Sequence, residues 1–253
     1  MATRHASIPV IDDDPVEALL RQLRRRDDVS EQEADMLRAA IGRTETVGAG
    51  ERVITAGVPL TQSMLLLDGF VARYKDLAGG QRQITELHVP GDLVDLHGFL
   101  LKRIEHHVGT LTVARVAWLP HAALSELTER APHLGRVLWT MTLVDASIQR
   151  ERLLTIGRRS ALARVAHLLC ELHARLDAIG AVTDGRFRLP LTQIDLADAI
   201  GLTSVHLNRM LRQLRAENIL TLRTSQVEIL NLPRLREIAE FDPGYLYLDS
   251  QPR

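Results

Sequence analysis

The residues of this chain best suited to recognition by hydrogen bonding lie together near its C-terminal end. Thr203, Ser204, Val205, His206, Asn208, Arg209 and Arg212 belong to one stretch, QIDLADAIGLTSVHLNRMLR, residues 193–212. An arginine fork matches the two acceptors on the major-groove edge of guanine, and an asparagine amide matches adenine. A histidine ring can pair with a base edge or a phosphate. Any one of these side chains alone is usually a solvated surface residue; on one outer helix face they read as a surface for double-stranded DNA. Thr192, Arg215 and Arg223 fit phosphate contacts, which position a protein without reading sequence. Between 203 and 223 there are four arginines and a single acid, Glu217, so this face is basic although the whole chain carries a formal net charge of -1.

Such side chains need rigid elements to aim them, and the same stretch supplies a helix-turn-helix pattern. Ala197 is small where two helices must cross closely, and Gly201, four residues on, suits a turn with positive φ. Leu196, Ile200, Leu202, Leu207 and Met210 occupy the positions that must be buried to fix the crossing. Thr192 with Asp195 forms a capping pattern for the first helix, and Thr203 can cap the second. The recognition helix is expected over 203–216. The hairpin-like LTLRTSQVEIL, centred on Thr224-Ser225, would be the wing, followed by a last helix in NLPRLREIAEF.

A second group of reactive side chains lies earlier, in Asp92, Asp95, His97, Glu105, His106 and His107, with His88 nearby. These could line an effector pocket, hold haem or a metal through histidine, or form an acid–base site. No histidine pair has a firm ligand spacing, and the chain has no nucleophile motif, phosphate loop or dinucleotide fingerprint. No catalytic residue and no resident metal or cofactor is therefore expected, and an unidentified small-molecule effector stays open. The single cysteine, Cys170, lies in the apolar run AHLLCEL and reads as a buried structural thiol. It excludes an intrachain disulfide framework and a multi-cysteine cluster within one chain.

The elements around these groups fall into zones. Residues 15–42 read as helical, with Ser30 and Glu33 as a capping box. From about 44 to 122, short apolar runs alternate with Gly50, Gly57, Asp68-Gly69, Gly79-Gly80 and Pro90-Gly91-Asp92. Turn signals at that spacing predict an antiparallel β barrel or sandwich. After Pro132 comes a long helical stripe with apolar residues at 134, 137, 138, 141, 144, 148 and 153. A helix of that length, about 36 Å, either covers a core or joins two subunits. A break near Gly157 precedes another amphipathic helix to about Leu176. No apolar stretch is long enough to cross a membrane and no signal peptide is legible, so no membrane partner is expected and the expected location is cytoplasmic.

With these motifs in this order, the chain resembles the CRP/FNR superfamily, specifically an α-proteobacterial subgroup similar in SVHLNRMLRQLRAE. Gly50-Glu51, Gly57, Leu67-Asp68-Gly69, Gly80 and Pro90-Gly91-Asp92 fall at that family's glycine turns. The resemblance implies an α+β fold: an antiparallel cyclic-nucleotide-binding-like β-roll, a long dimerisation helix and a winged helix-turn-helix. The expected divisions are a flexible 1–14, a sensor domain 15–131, the dimerisation helix 132–157, the DNA-binding domain 158–241 and a tail 242–253. It also implies a bacterial homodimer paired through Leu134, Leu138, Met141 and Ile148, a two-fold DNA site of about twenty base pairs, and RNA polymerase as a partner. Cyclic-nucleotide binders of the family carry Gly-Glu for the ribose and Arg-Ser for the cyclic phosphate. Here Asp92 or Asp95 would face a ribose, but His106-His107 lie near the place of the Arg-Ser pair, so cyclic AMP is not the expected ligand; haem remains an alternative. The oxygen-sensing branch binds its iron–sulfur cluster through N-terminal cysteines, which are missing here. Val205 stands where many members have glutamate and could instead meet a thymine methyl.

Overall fold

The computed structural model describes residues 14–249; all but Asp14 of the segment expected to be flexible, and 250–253 of the expected tail, lie outside the described residues. The chain begins with α1 (Glu17–Arg24) and α2 (Glu31–Ala39). Ser30 accepts from the Glu33 amide while the Glu33 carboxylate accepts from the Ser30 amide, the capping box read from sequence.

The β region follows as β1 (Arg43–Val47), β2 (Arg52–Ile54), β3 (Gln62–Asp68), β4 (Val71–Asp76) and β5 (Arg82–His88). A short α3 (Gly98–Leu101), β6 (His107–Thr110) and β7 (Ala114–Pro120) complete it. All pairings are antiparallel, in two sheets ordered β1–β7–β3 and β2–β6–β4–β5. The glycine turns are required by geometry: Gly69, between β3 and β4, has φ +89°, and a Cβ there would sit 2.5 Å from the Val113 carbonyl oxygen.

Then come α4 (His121–Arg130), α5 (Pro132–Arg158) and α6 (Ala161–Ala178). Pro132 starts α5, where its missing amide hydrogen costs nothing. The helix runs past Gly157, the expected break, and ends at Arg159, after which Ser160 caps α6 by accepting from the Ala163 amide. The last unit is β8 (Arg186–Arg188), α7 (Gln193–Ile200), α8 (Ser204–Ala216), β9 (Leu220–Arg223), β10 (Gln226–Ile229) and α9 (Leu232–Ala239). Its small sheet is ordered β8–β10–β9.

Three apolar clusters hold these parts. One fills the space between the sheets, with Met64, Leu66, Val71, Val94, Ile104 and Val108. A second joins α1 and α2 to α4 and the first half of α5. The third ignores the expected division between sensor and DNA-binding domain. Phe70, Ala72, Ile84, Leu87 and Val89 of the β-roll share it with Leu169 and Leu172 of α6, Leu196 and Ala199 of α7, and Leu207 of α8. Full burial of one large apolar side chain, such as Phe70, contributes roughly 1.5–3 kcal/mol, so this shared layer fastens the two units firmly.

Residues past α9 pack as well. A 3₁₀ turn at Pro243–Leu246 buries Leu246, the Tyr245 hydroxyl donates to Glu171 (2.9 Å), and Arg26 donates to the Leu246 carbonyl (2.9 Å). Among the described residues no helix is long and apolar enough to cross a membrane.

Candidate nucleic-acid interface and sensor cavity

The helix-turn-helix forms as the sequence pattern requires. Thr192 caps α7: its hydroxyl accepts from the Asp195 amide (3.1 Å), while Asp195 Oδ2 accepts from the Thr192 amide (3.1 Å). Gly201 ends α7 in the left-handed region, φ +64°, and the Leu202 amide donates to the Ala197 carbonyl across the turn. A Cβ at Gly201 would come no nearer than 3.5 Å to Ile156, so backbone conformation rather than crowding demands glycine there. Thr203 starts α8 by accepting from the His206 amide (3.2 Å). Leu196, Ala197, Ile200, Leu207 and Met210 are buried, and Leu202 is half-buried.

The outer face of α8 is open. Val205 (72% exposed), His206, Arg209 and Arg212 point to solvent, with Ser204 and Asn208 half-buried beside them. The side chains of Arg209, Arg212 and Arg223 make no hydrogen bond or ion pair among the described residues, whereas that of Arg215 reaches only the Leu222 carbonyl at 3.4 Å. The Asn208 amide donates to Gln193 Oε1, so it must release Gln193 before pairing with a base. Thr192 departs from expectation: its hydroxyl and amide are both used in the cap, which makes it a holder of α7 rather than a free phosphate ligand. The sequence reading overlooked Gln193, which the turn places beside Asn208 of α8, and the 62%-exposed Ile194 next to it at the start of α7. The wing is the β9–β10 hairpin, turning through Thr224 and Ser225, both at positive φ as a tight hairpin turn demands.

The four residues expected to join two subunits do not face outward. Leu134, Leu138, Met141 and Ile148 are 0–8% exposed and pack into their own chain's core. The apolar surface that α5 leaves free is a different one, with Trp139 67%, Leu143 55% and Leu153 74% exposed. The sequence stripe had recorded the inward face, because α5 is apolar on two sides.

The expected effector residues separate into four environments. Asp92 is buried structure: it accepts from Gln22 Nε2 (2.8 Å), the Val89 amide (2.9 Å) and Arg175 Nη2 (2.5 Å), with His88 Nδ1 at 3.2 Å. Burial opposes its charge, but Arg175 and His88 outweigh burial and hold its carboxyl well below the usual range. His107 accepts from the Ala56 amide through Nδ1 (3.1 Å) and packs on Tyr74. Asp95 is fully buried, takes the Met64 amide on Oδ1 (2.6 Å), and among the described residues has no partner for Oδ2; burial pushes it up to about 6.

His97, Glu105 and His106 of that set line a cavity of about 490 Å³ between β4, β5, the turn before β6 and α5. The rings of His97 and His106 lie 5.4 Å apart. Burial, and then the nearby Arg73 charge, lowers both, His97 to about 3, so both are neutral at ordinary pH. His106 Nδ1 lies 3.3 Å from Glu105, while its buried Nε2 has no partner among the described residues. The cavity floor is Arg73, which sequence reasoning did not select. Its Nε donates to the Val94 carbonyl (2.6 Å), Nη1 to Glu86 (2.6 Å) and Nη2 to Asp145 of α5 (2.9 Å). Nothing local in sequence marks Arg73 and Asp145 as partners; only the fold brings them together. Among the described residues no group of three or more His, Cys, Asp or Glu side chains is placed to hold a metal ion. Cys170 is buried, and burial pushes its thiol up to about 12, as an inert thiol requires.

Comparison with known proteins agrees with this architecture. The cyclic nucleotide-binding domain family matches residues 44–131, and the Crp-like helix-turn-helix domain family matches residues 163–238. The chain is 26% identical over 211 residues to the fumarate and nitrate reduction regulatory protein of Vibrio cholerae, covering 83% of this chain and 84% of that one. It is 28% identical over 199 residues to the transcriptional activator protein FnrL of Cereibacter sphaeroides, covering 77% and 79%. The structure of FixK2 from Bradyrhizobium japonicum superimposes with a TM-score of 0.71 at 26% identity, covering 78% of this chain and 96% of that one. A β-roll, a long helix and a winged helix-turn-helix define a DNA-binding transcription regulator. This chain belongs to the CRP/FNR family of such regulators.

Proposed function

We propose that the chain acts in the cytoplasm as a homodimer paired along α5, and that it reads a two-fold symmetric DNA site with α8 in the major groove. The observation that carries this reading is the exposed stripe on α5. Arg136, Trp139, Leu143, Ala146, Arg150, Leu153 and Gly157 are all exposed, and their spacing alternates three and four residues. That is the seven-residue repeat of a parallel helix pair. A pair so formed would present two copies of α8 about one helical turn of DNA, roughly 34 Å, apart. Arg209 is the base reader, supported by Asn208, His206 and Val205. Arg212, Arg215 and Arg223 hold phosphates, and RNA polymerase is the protein partner proposed for this role. Selection of bound duplexes from a random pool by the full chain tests this: a two-fold site of about twenty base pairs is expected, and an asymmetric site would overturn it.

The sensor cavity supports a narrower reading of the β-roll: it is not a cyclic AMP site. Each nitrogen of the Arg73 guanidinium is already engaged, and the cavity's histidines are neutral. Lys75 also lines the cavity but is exposed to solvent, so a cyclic phosphate would lose its hydration without a buried, unengaged cation in exchange. Titration calorimetry with cyclic AMP should therefore give no binding heat.

A further inference from the structure

The contact between the β4–β5 hairpin and the helix-turn-helix is directional, and that direction has a consequence for DNA reading. Arg82, at the start of β5, grips α7 through Nε and Nη2 of its guanidinium. Nη2 lies 2.7 Å from Asp195 and 2.9 Å from Asp198, and Nε donates to Asp198 at 3.0 Å. The next residue, Gln83, donates from Nε2 to the Asp198 carbonyl at 2.6 Å. Arg82 is itself braced, because its guanidinium lies 5.8 Å from the centre of the Tyr74 ring and the Tyr74 hydroxyl accepts from Arg52 (3.0 Å). Asp195 is also the carboxylate that completes the α7 capping box with Thr192. One side chain of the sensor thus holds the first turn of the reading unit.

The apolar layer beneath, with Ile84, Leu196 and Ala199, resists separation but sets no angle, since apolar contact is non-directional. A two-carboxylate grip on a planar guanidinium does set one. The grip does not mask the reading face either, as Val205, His206 and Arg209 remain exposed while it is closed.

We propose that Arg82 is a positioning residue for DNA recognition: by gripping Asp195 and Asp198 it fixes the angle at which α8 is presented, and so the half-site separation the protein accepts. The separation part rests on the dimer reading above; the angle part stands on one chain. Two measurements keep them apart. Cys170 is buried, so spin labels can be carried by Arg115→Cys on β7 and Gln213→Cys on α8. Labelled chain diluted in excess unlabelled chain reports the intrachain distance alone. A narrow distance distribution is expected with Arg82 present, and a visibly broader one in Arg82→Ala with an unchanged melting temperature. The reversed pair, Arg82→Asp with Asp198→Arg, should regain the narrow distribution.

On duplexes whose half-sites are moved apart by single base pairs, Arg82→Ala should reduce the preference for the best spacing about two- to fivefold, the range of a partly exposed ion pair. Arg82→Lys, which reaches one carboxylate, should fall between. A distribution as narrow in Arg82→Ala as in the native chain would overturn the proposal. Should Arg82→Ala melt at a lower temperature, the reversed pair decides: native width upholds the proposal, and a width matching Arg82→Ala refutes it. If the native chain itself shows no spacing preference, the dimer reading fails, and the distance measurement still judges Arg82.

Discussion

Arg175 of α6 and Asp92 of the turn after β5 meet at 2.5 Å in the buried seam between the β-roll and the reading unit, 83 positions apart in sequence. The same guanidinium donates to the Leu87 carbonyl (2.9 Å) and lies 3.5 Å from Glu171, so it ties strand β5 to the helix that supports the winged unit. Asp92, in turn, draws in Gln22 of α1.

Arg175→Met should therefore destabilise the protein by about 3–5 kcal/mol, because it strands a buried carboxylate. Combining it with Asp92→Asn should recover part of that loss. Denaturant unfolding of the two single variants and the double variant measures the coupling. Equal, additive losses would mean that the pair contributes nothing specific.

Arg209→Ala should weaken binding to the selected site by about 1–3 kcal/mol and relax base preference at one position. Because Arg209 is exposed and unpaired among the described residues, the melting temperature should stay unchanged. Arg215→Ala should instead weaken all duplexes evenly and reduce the salt dependence of binding. Titrations against cognate and random duplexes separate the two behaviours.

Substitutions on α5 should divide by face. Trp139→Asp and Leu143→Asp, on the free side, should yield folded monomers by light scattering. Met141→Asp, only 8% exposed, should unfold the chain, since a charge forced into that cluster has no partner. A folded monomer from Met141→Asp would move the interface to the inner stripe.

Asp95 predicts a pH dependence of known sign. Burial raises its folded value to about 6 from the ordinary 3.8. Between these values the folded state holds a proton that the unfolded chain has released, so stability falls as pH rises through that window. Asp95→Asn keeps an acceptor for the Met64 amide and cannot ionise. Its stability relative to the native chain should be unchanged below about pH 3 and higher by roughly 3 kcal/mol above pH 7. Unfolding curves at both pH values check it; a pH-independent difference would assign the effect to packing.

Local devices were readable from sequence because each is enforced within a few residues. The caps at Ser30, Thr192 and Thr203 and the turn at Gly201 are of this kind. The buried set of the helix-turn-helix was legible for the same reason. Groups assembled across the fold were not. His97 and His106 share the cavity, but its floor comes from Arg73 on β4 and Asp145 on α5, whose spacing carries no motif. Asp92 and His107 were neighbours of the cavity residues in sequence and point elsewhere in space. On α5, periodicity revealed an apolar stripe, but periodicity alone does not tell an inner stripe from an outer one. The packing of Tyr245 and Leu246 on Glu171 and Arg26 had no local signal at all.

The apolar layer shared by the β-roll and the winged unit also bears on how this protein can be re-engineered. A chimaera that joined a foreign sensor at the α5–α6 junction would leave Leu169, Leu172 and Leu196 without the Phe70, Ile84 and Leu87 surface they fit. Such grafts should aggregate unless that strand face travels with the reading unit. The transferable module is therefore a composite, cut from two separate parts of the chain.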